Sequence, residues 1–377
     1  MSVSTMIVHI VPALFGPGGV IGGAERYALE LARYMAVRTP TKLVSFGNAE
    51  RTERIGDLAV GVIGDPWYVR GQRSNPLSMA LFSELREADV VHCHQQRVLA
   101  SSMAAVVCRL LGRRVFVSDL GGGGWDISAY VSTDRWYHGH LHISEYSRRC
   151  FGHETRRDAH VILGGVDVEK FSPDDAVQRD RTVLFVGRIL PHKGINDLIN
   201  ALPEGIGLEI VGQPDDPRYL SDLHRLAAGK PVMFRHDCDD RALIEAYRRA
   251  MCVVLPSVYR TMYGDETRVP ELLGQTLLEG MGCETPAICT DVASMPEIVE
   301  DRVSGFIVSP NDPAGLGQAI RRLVDHPAEA VKMGRAARAR VLEKFTWDQV
   351  VSRCLSIYRS PCGPSSPVAG SAAAHPT

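Results

Sequence analysis

VPELLGQTLLEGMGCETPAI, residues 269–288, is the stretch around which this chain is organised. It sets two carboxylates, Glu271 and Glu279, across a loop that enters a helix, and it ends in a Gly/Cys/Pro break before a short apolar run. Gly274, Gln275 and Thr276 fall at the expected helix N-terminus, where free backbone N–H groups and the helix dipole attract an anion. An earlier partner, GRILPHKG at 187–194, closes a strand-like run at Gly187 and brings Arg188 and Lys193 just ahead of a helical pattern. A guanidinium and an ammonium at the carboxyl end of a strand suit a diphosphate. Two solvated surface cations are the plainer alternative.

Around these stretches the second half alternates strand-like and helical segments. The strands are expected at 183–186, 208–211, 232–235, 252–255, 287–289 and 306–308, with helices at 195–202, 240–250 and 276–281 between some of them. The first half shows the same rhythm, with strand-like runs at 6–11, 89–92, 115–118, 140–143 and 161–163 and a helical pattern at 101–111. The fold class that follows is α/β, with two doubly wound, Rossmann-like domains facing across a cleft. The Gly/Pro/acid-rich segment 163–176 marks the boundary, giving an N-terminal domain at 1–167 and a C-terminal domain at 168–345. Trp347, Val350, Val351, Cys354, Leu355 and Tyr358 recur at helical spacing, so 346–360 is an amphipathic helix expected to pack back on the first domain. The tail, 361–377, has no period and is expected to be disordered.

Composition narrows the class. At 377 residues the chain exceeds a single growing core, and a formal charge of −2 provides no net field for nucleic acid. Arginine pairs at 113/114, 148/149 and 156/157 read as solvated faces, with contact to an anionic lipid surface at the inner face of a membrane as the alternative, and the oligomeric state stays open. Nine scattered cysteines without CxxC spacing read as reduced core residues, and with no basic leader the cytoplasm is the expected location.

In such sheets ligands bind beyond the carboxyl ends of strands. The run 6–11 leads into a loop with five glycines, among them Gly22 and Gly23, which either cradles a phosphate at a helix N-terminus or makes a plain tight turn. His94, after VVHCH, and Asp119, Trp125 and Asp126, around a four-glycine run, are the acceptor-side candidates, with a structural histidine as the alternative for His94. His138, His140 and His142 alternate along one strand-like run and share a face, but without carboxylate or cysteine companions no metal site is expected there. Taken together, the second half describes a site for a nucleotide sugar: diphosphate between cations and N–H groups, ribose on Glu279 and hexose beside Glu271.

GRILPHKG resembles the G-R-x4-K-G donor motif of the family 4 retaining glycosyltransferases with the GT-B fold. ELLGQTLLE at 271–279, followed by GMGCETPAICTD, resembles their E-x7-E region, and four more segments (22–35, 163–173, 242–259 and 295–313) follow the family's order. The resemblance implies transfer of a hexose from a nucleotide-diphosphate sugar to a hydroxyl acceptor, with retention and with neither bound metal nor other cofactor. It implies Arg188, Lys193 and Glu271 as catalytic residues. Gly22, Gly23, Gly187, Gly274, Gln275, Thr276 and Glu279 would hold the donor, and 235–239 would edge the base. Two departures stand out. Asp119 occupies the place of a frequent histidine, and Leu272-Leu273 replaces Pro-Phe beside Glu271. A nucleotide-sugar epimerase of similar fold and a non-catalytic sugar-nucleotide binder are the rival expectations.

Overall fold

The computed structural model describes residues 5–14, 23–121 and 124–360, without the side chains of 13 and 14. Gly22 and the expected disordered tail lie outside the described residues. In the first domain the strands are β1 (Ile7–Leu14), β2 (Thr41–Gly47), β3 (Arg51–Ile55), β4 (Leu58–Gly64), β5 (Trp67–Tyr68), β6 (Pro76–Leu77), β7 (Val90–Cys93), β8 (Arg114–Val117), β9 (Gly139–His142) and β10 (Ala159–Val161). Eight of them form one sheet, ordered β10-β9-β8-β7-β1-β2-β4-β3, in which only β3 runs antiparallel. β5 and β6 make a small separate ribbon.

The second domain contains β11 (Thr182–Val186), β12 (Gly207–Val211), β13 (Val232–Arg235), β14 (Cys252–Leu255), β15 (Ala287–Thr290) and β16 (Gly305–Val308). Their order is β13-β12-β11-β14-β15-β16, and every pair is parallel. The chain winds outward from β11 to β13 and then returns to the other side of β11, so the order reverses between β11 and β14. A crevice opens at such a reversal because the loops leaving the two strands diverge to opposite faces. The first sheet has its own reversal between β1 and β7.

All six strands expected in the second half are present, because parallel strands covered on both faces read as short apolar runs. The strands β2, β3 and β4 were not among the expected elements. Their local signals are the apolar run of β4, LAVGVIG, and Gly56-Asp57, a two-residue hairpin between β3 and β4 with Gly56 at φ 60°. Outer β3 alternates burial along RTERI, so it lacks the apolar run that betrays an inner strand.

The helix Trp347–Arg359 packs on the first domain. Trp347 lies 5.2 Å from the Tyr27 ring and 6.0 Å from that of Tyr34, and a Cβ at Gly165 would come within 2.5 Å of its indole. At the other end the Tyr358 hydroxyl and buried His92 Nδ1 are hydrogen-bonded at 2.6 Å. Tyr358→Phe is expected to cost about 1–2 kcal/mol, since a buried imidazole nitrogen loses its partner. Urea unfolding should show a lower midpoint with unchanged slope.

Candidate active site

The first wall of the site is built where β11 and β14 part. After Gly187 the chain makes the 3-10 turn Pro191–Lys193 and passes through Gly194 at φ 65°. A Cβ at 194 would stand 2.0 Å from the Pro256 carbonyl, so only glycine lets this turn close on the end of β14. Val258 N donates to the His192 carbonyl at 2.8 Å and adds a second tie. Lys193 is thereby aimed at the loop 256–274, where its ammonium pairs with Glu271. The other Glu271 oxygen accepts from Gly274 N at 3.3 Å. Gly274, at φ 73°, caps the helix Gln275–Gly282, so the Glu271 carboxylate bridges the ammonium and the helix N-terminus. Both side chains of this pair are largely shielded, which strengthens the interaction relative to one in water. Arg188 is more open and rests on Asp215, NH1 to Oδ2 3.2 Å.

One turn into the helix, Glu279 is only 3% exposed and accepts from the Tyr247 hydroxyl at 2.9 Å. Burial raises its pKa above the usual carboxylate range, while Tyr247, Arg26, Lys170 and Gln275 pull it back. Gln275 Nε2 donates to the Gly165 carbonyl at 3.2 Å, tying this helix to the interdomain segment, and Thr276 beside it is half-buried. Glu271 and Glu279 therefore sit in different surroundings, one ion-paired and one held by a phenol. In 235–239, Arg235 pairs with Glu209 at 2.5 Å, His236 Nδ1 donates to the Gly212 carbonyl at 2.7 Å, and Asp239 caps the following helix.

The opposite wall belongs to the first domain. Leu272 and Leu273, the departures beside Glu271, are its contact points: a Cβ at Gly121 would lie 3.1 Å from Leu272, and one at Gly164 would lie 2.2 Å from Leu273. Ser144 Oγ donates to the Leu272 carbonyl at 2.9 Å, and the Tyr146 hydroxyl donates to the Arg268 carbonyl at 2.7 Å. Glu297 reaches across from the second domain and accepts from Glu145 N and Tyr146 N, both at 2.7 Å. Sequence reasoning missed Tyr247, Asp215, Ser144 and Glu297 as site-forming residues. Of these, Ser144 had a readable signal, a serine at the start of the helix Glu145–Cys150, where it accepts from Ser147 N at 2.9 Å.

Asp119 lies on this wall, buried, with Gly121 N donating to Oδ1 at 3.1 Å. Burial pushes its pKa from 3.8 up to about 6. A raised folded-state pKa leaves stability intact below pH 4 and removes it as pH rises through about 6. Asp119→Asn, which keeps an acceptor for Gly121 N, should therefore stabilise the fold by about 2–3 kcal/mol at pH 7.5 and by almost nothing at pH 4. Thermal melts at the two pH values check this, and equal shifts at both would contradict it.

The remaining acceptor-side candidates have these surroundings. Asp126 is buried, accepts from Ser102 Oγ at 2.5 Å and caps the turn Ile127–Ala129, so its carboxylate is engaged in the fold. Trp125 is held through its backbone by Gln72 and Asn75, and the Arg70 guanidinium covers its ring at 4.1 Å. His94 Nε2 meets His9 Nδ1 at 2.7 Å, whereas its Nδ1 is buried without a hydrogen-bond partner. Gly23 begins the helix Gly23–Ala36, with open space where a Cβ would be. The expectation that His138, His140 and His142 share one face without companions is corrected. His138 instead accepts from Val115 N at 3.0 Å, while His140 and His142 face His153, with Asp134 beside them. The carboxylate, Asp134, lies six residues before His140 in the sequence, and the fold brings His153 to both.

Residues 167–340 match the family described as Glycosyl transferases group 1. Over nearly its whole length the chain is 28% identical to D-inositol 3-phosphate glycosyltransferase 1 of Catenulispora acidiphila, covering 95% of each protein. It is 28% identical to alpha-maltose-1-phosphate synthase of Mycobacterium tuberculosis, covering 92% of this chain and 97% of that one. Among solved structures it resembles HepE of Anabaena, crystallised with UDP and glucose, at TM-score 0.72 and 17% identity over 93% of this chain and 98% of that one. The fold is GT-B. No helix among the described residues is long and apolar enough to cross a membrane.

Proposed function

We propose, for a chain with the GT-B fold whose residues 167–340 match the glycosyl transferases group 1, transfer of a hexosyl unit from a UDP- or GDP-sugar to a hydroxyl acceptor with retention of configuration. The observation that carries this reading is the junction of Lys193, Glu271 and Gly274 N at the crevice between β11 and β14, facing the Asp119 wall. An ammonium beside a helix N-terminus is where a diphosphate gains most as its charge grows on bond cleavage. In this reading Lys193, Arg188 and the N–H groups of Gln275 and Thr276 stabilise the leaving diphosphate, with Gly187 and Gly23 leaving room for it. The step then needs no metal and no carboxylate nucleophile. Glu279 receives the ribose hydroxyls by exchanging its Tyr247 contact, and Glu271 orients the hexose. Asp119 binds a sugar or acceptor hydroxyl. HepE, the structural neighbour, was crystallised with UDP and glucose, which supports a nucleotide-sugar donor.

The test is a donor panel of UDP- and GDP-sugars with saccharide, inositol phosphate and sugar phosphate acceptors, read by mass spectrometry and by NMR of the product anomer. Retained configuration is the expected result. An inverted product would overturn the mechanism. Donor turnover without any acceptor or free sugar product would favour an epimerase.

A further inference from the structure

We propose that Asp134, His140 and His153 form a binding site for a divalent transition-metal ion of the Zn2+ class, in the first domain and outside the donor crevice. Three separate elements converge there: His140 on β9, His153 just past the helix Glu145–Cys150, and Asp134 in the turn Asp134–Trp136. Each offers one ligand atom, and these atoms all lie within 4.8 Å of one another. Imidazole and carboxylate are the donor set that Zn2+ takes.

The hydrogen bonds around the cluster fix which of its atoms carry lone pairs. His140 Nε2 faces the Asp134 carbonyl at 3.2 Å, and since a carbonyl only accepts, Nε2 carries the hydrogen and Nδ1 the free lone pair. His153 Nδ1 lies 3.0 Å from His142 Nε2, leaving its own Nε2 turned toward Asp134 Oδ2 at 3.6 Å. Gln96 Nε2 donates to Asp134 Oδ1 at 2.6 Å and fixes the carboxylate. Metal-ligating side chains are held in this way by outer partners, here His142 and Gln96. Closing to metal–ligand distances of roughly 2.0–2.2 Å asks only a small inward movement, with water completing the shell.

The charge balance also favours a cation. Arg156 approaches Asp134 Oδ2 at 3.8 Å, but its guanidinium is already held by Asp158 through two bonds of 3.0 and 2.6 Å. Asp158 thus offsets much of the Arg156 charge at the cluster. The imidazoles are buried while the Asp134 side chain is partly exposed, which provides an entry from its side. The other buried trio, His9, His92 and His94, is less suited. It has no carboxylate, and its nitrogens are taken up by one another, Ser118, Tyr358 and Met35, apart from His94 Nδ1.

The experiment uses the full chain, stripped with chelator and with thiols blocked, titrated with Zn2+ by calorimetry and with Co2+ by visible absorption. One Zn2+ per chain and d–d bands for Co2+ are expected. His153→Ala and Asp134→Asn should each weaken Zn2+ binding by about tenfold or more, while His138→Ala, just ahead of the same strand, leaves it unchanged. Asp134, partly exposed, keeps the test available if His153→Ala does not fold. Absence of stoichiometric uptake overturns the proposal, as does Zn2+ affinity equal to wild type in a folded Asp134→Asn chain.

Discussion

Lys193→Ala is expected to lower kcat/KM for sugar transfer by about 10³-fold while the chain stays folded. Two losses combine. In the proposed function the positive charge that would meet the leaving diphosphate disappears, and Glu271, freed from its ammonium, is left at the helix N-terminus with only the Gly274 N–H. A bare carboxylate there repels the diphosphate it should help to hold. Most of the loss should fall on kcat, because the phosphate charge develops in the transition state more than in the bound donor. Lys193→Ala/Glu271→Gln removes the repulsion and should recover donor binding, read as the thermal shift with UDP or GDP, without recovering kcat. A single Lys193→Ala variant turning over within about threefold of wild type would remove Lys193 from the reaction.

Glu297→Ala is expected to open the cleft. Its carboxylate accepts two short bonds from Glu145 N and Tyr146 N in the other domain, and bonds to a charged group contribute about 1.5–3 kcal/mol each. Their loss, about 3–6 kcal/mol, leaves polar ties such as Ser144–Leu272, Tyr146–Arg268, Gln275–Gly165 and Arg26–Asp240 between the domains. The radius of gyration from small-angle scattering should rise, and kcat/KM should fall by roughly 10–100-fold as Asp119 moves from the Glu271 loop. Glu297→Gln, which retains an acceptor oxygen, should lie between. Scattering curves that superimpose on wild type would show that the two bonds do not hold the domains together.

Much of the second domain was legible because its signals are local. Apolar runs of four or five residues ending in Gly187 or Pro256, and the helix entry at Gly274, follow from burial on both faces of a parallel sheet and from backbone geometry. Less of the first domain was legible. β2 and β3 carry mixed polarity, and the apolar run of β4 follows a charged strand that masks it. Site residues divided along the same line. Lys193, Glu271 and Gly274 could be picked out as positions, whereas Asp126 looked like an acceptor ligand and is engaged in capping its own turn.

The sequence by itself determined the two α/β sheets' class, the six strands of the donor half and the cationic and acidic positions at their carboxyl ends, since each depends on neighbours within one or two turns of chain. Only the tertiary structure decided which of those positions meet. Lys193 and Glu271 are 78 residues apart, and Glu297 and Glu145 are 152 apart. Asp134 lies only six residues before His140, but His153 reaches them through the return of the helix Glu145–Cys150. Charges and lone pairs act over a few ångströms, and no periodicity in a linear chain encodes which loops the strand order will bring within that reach.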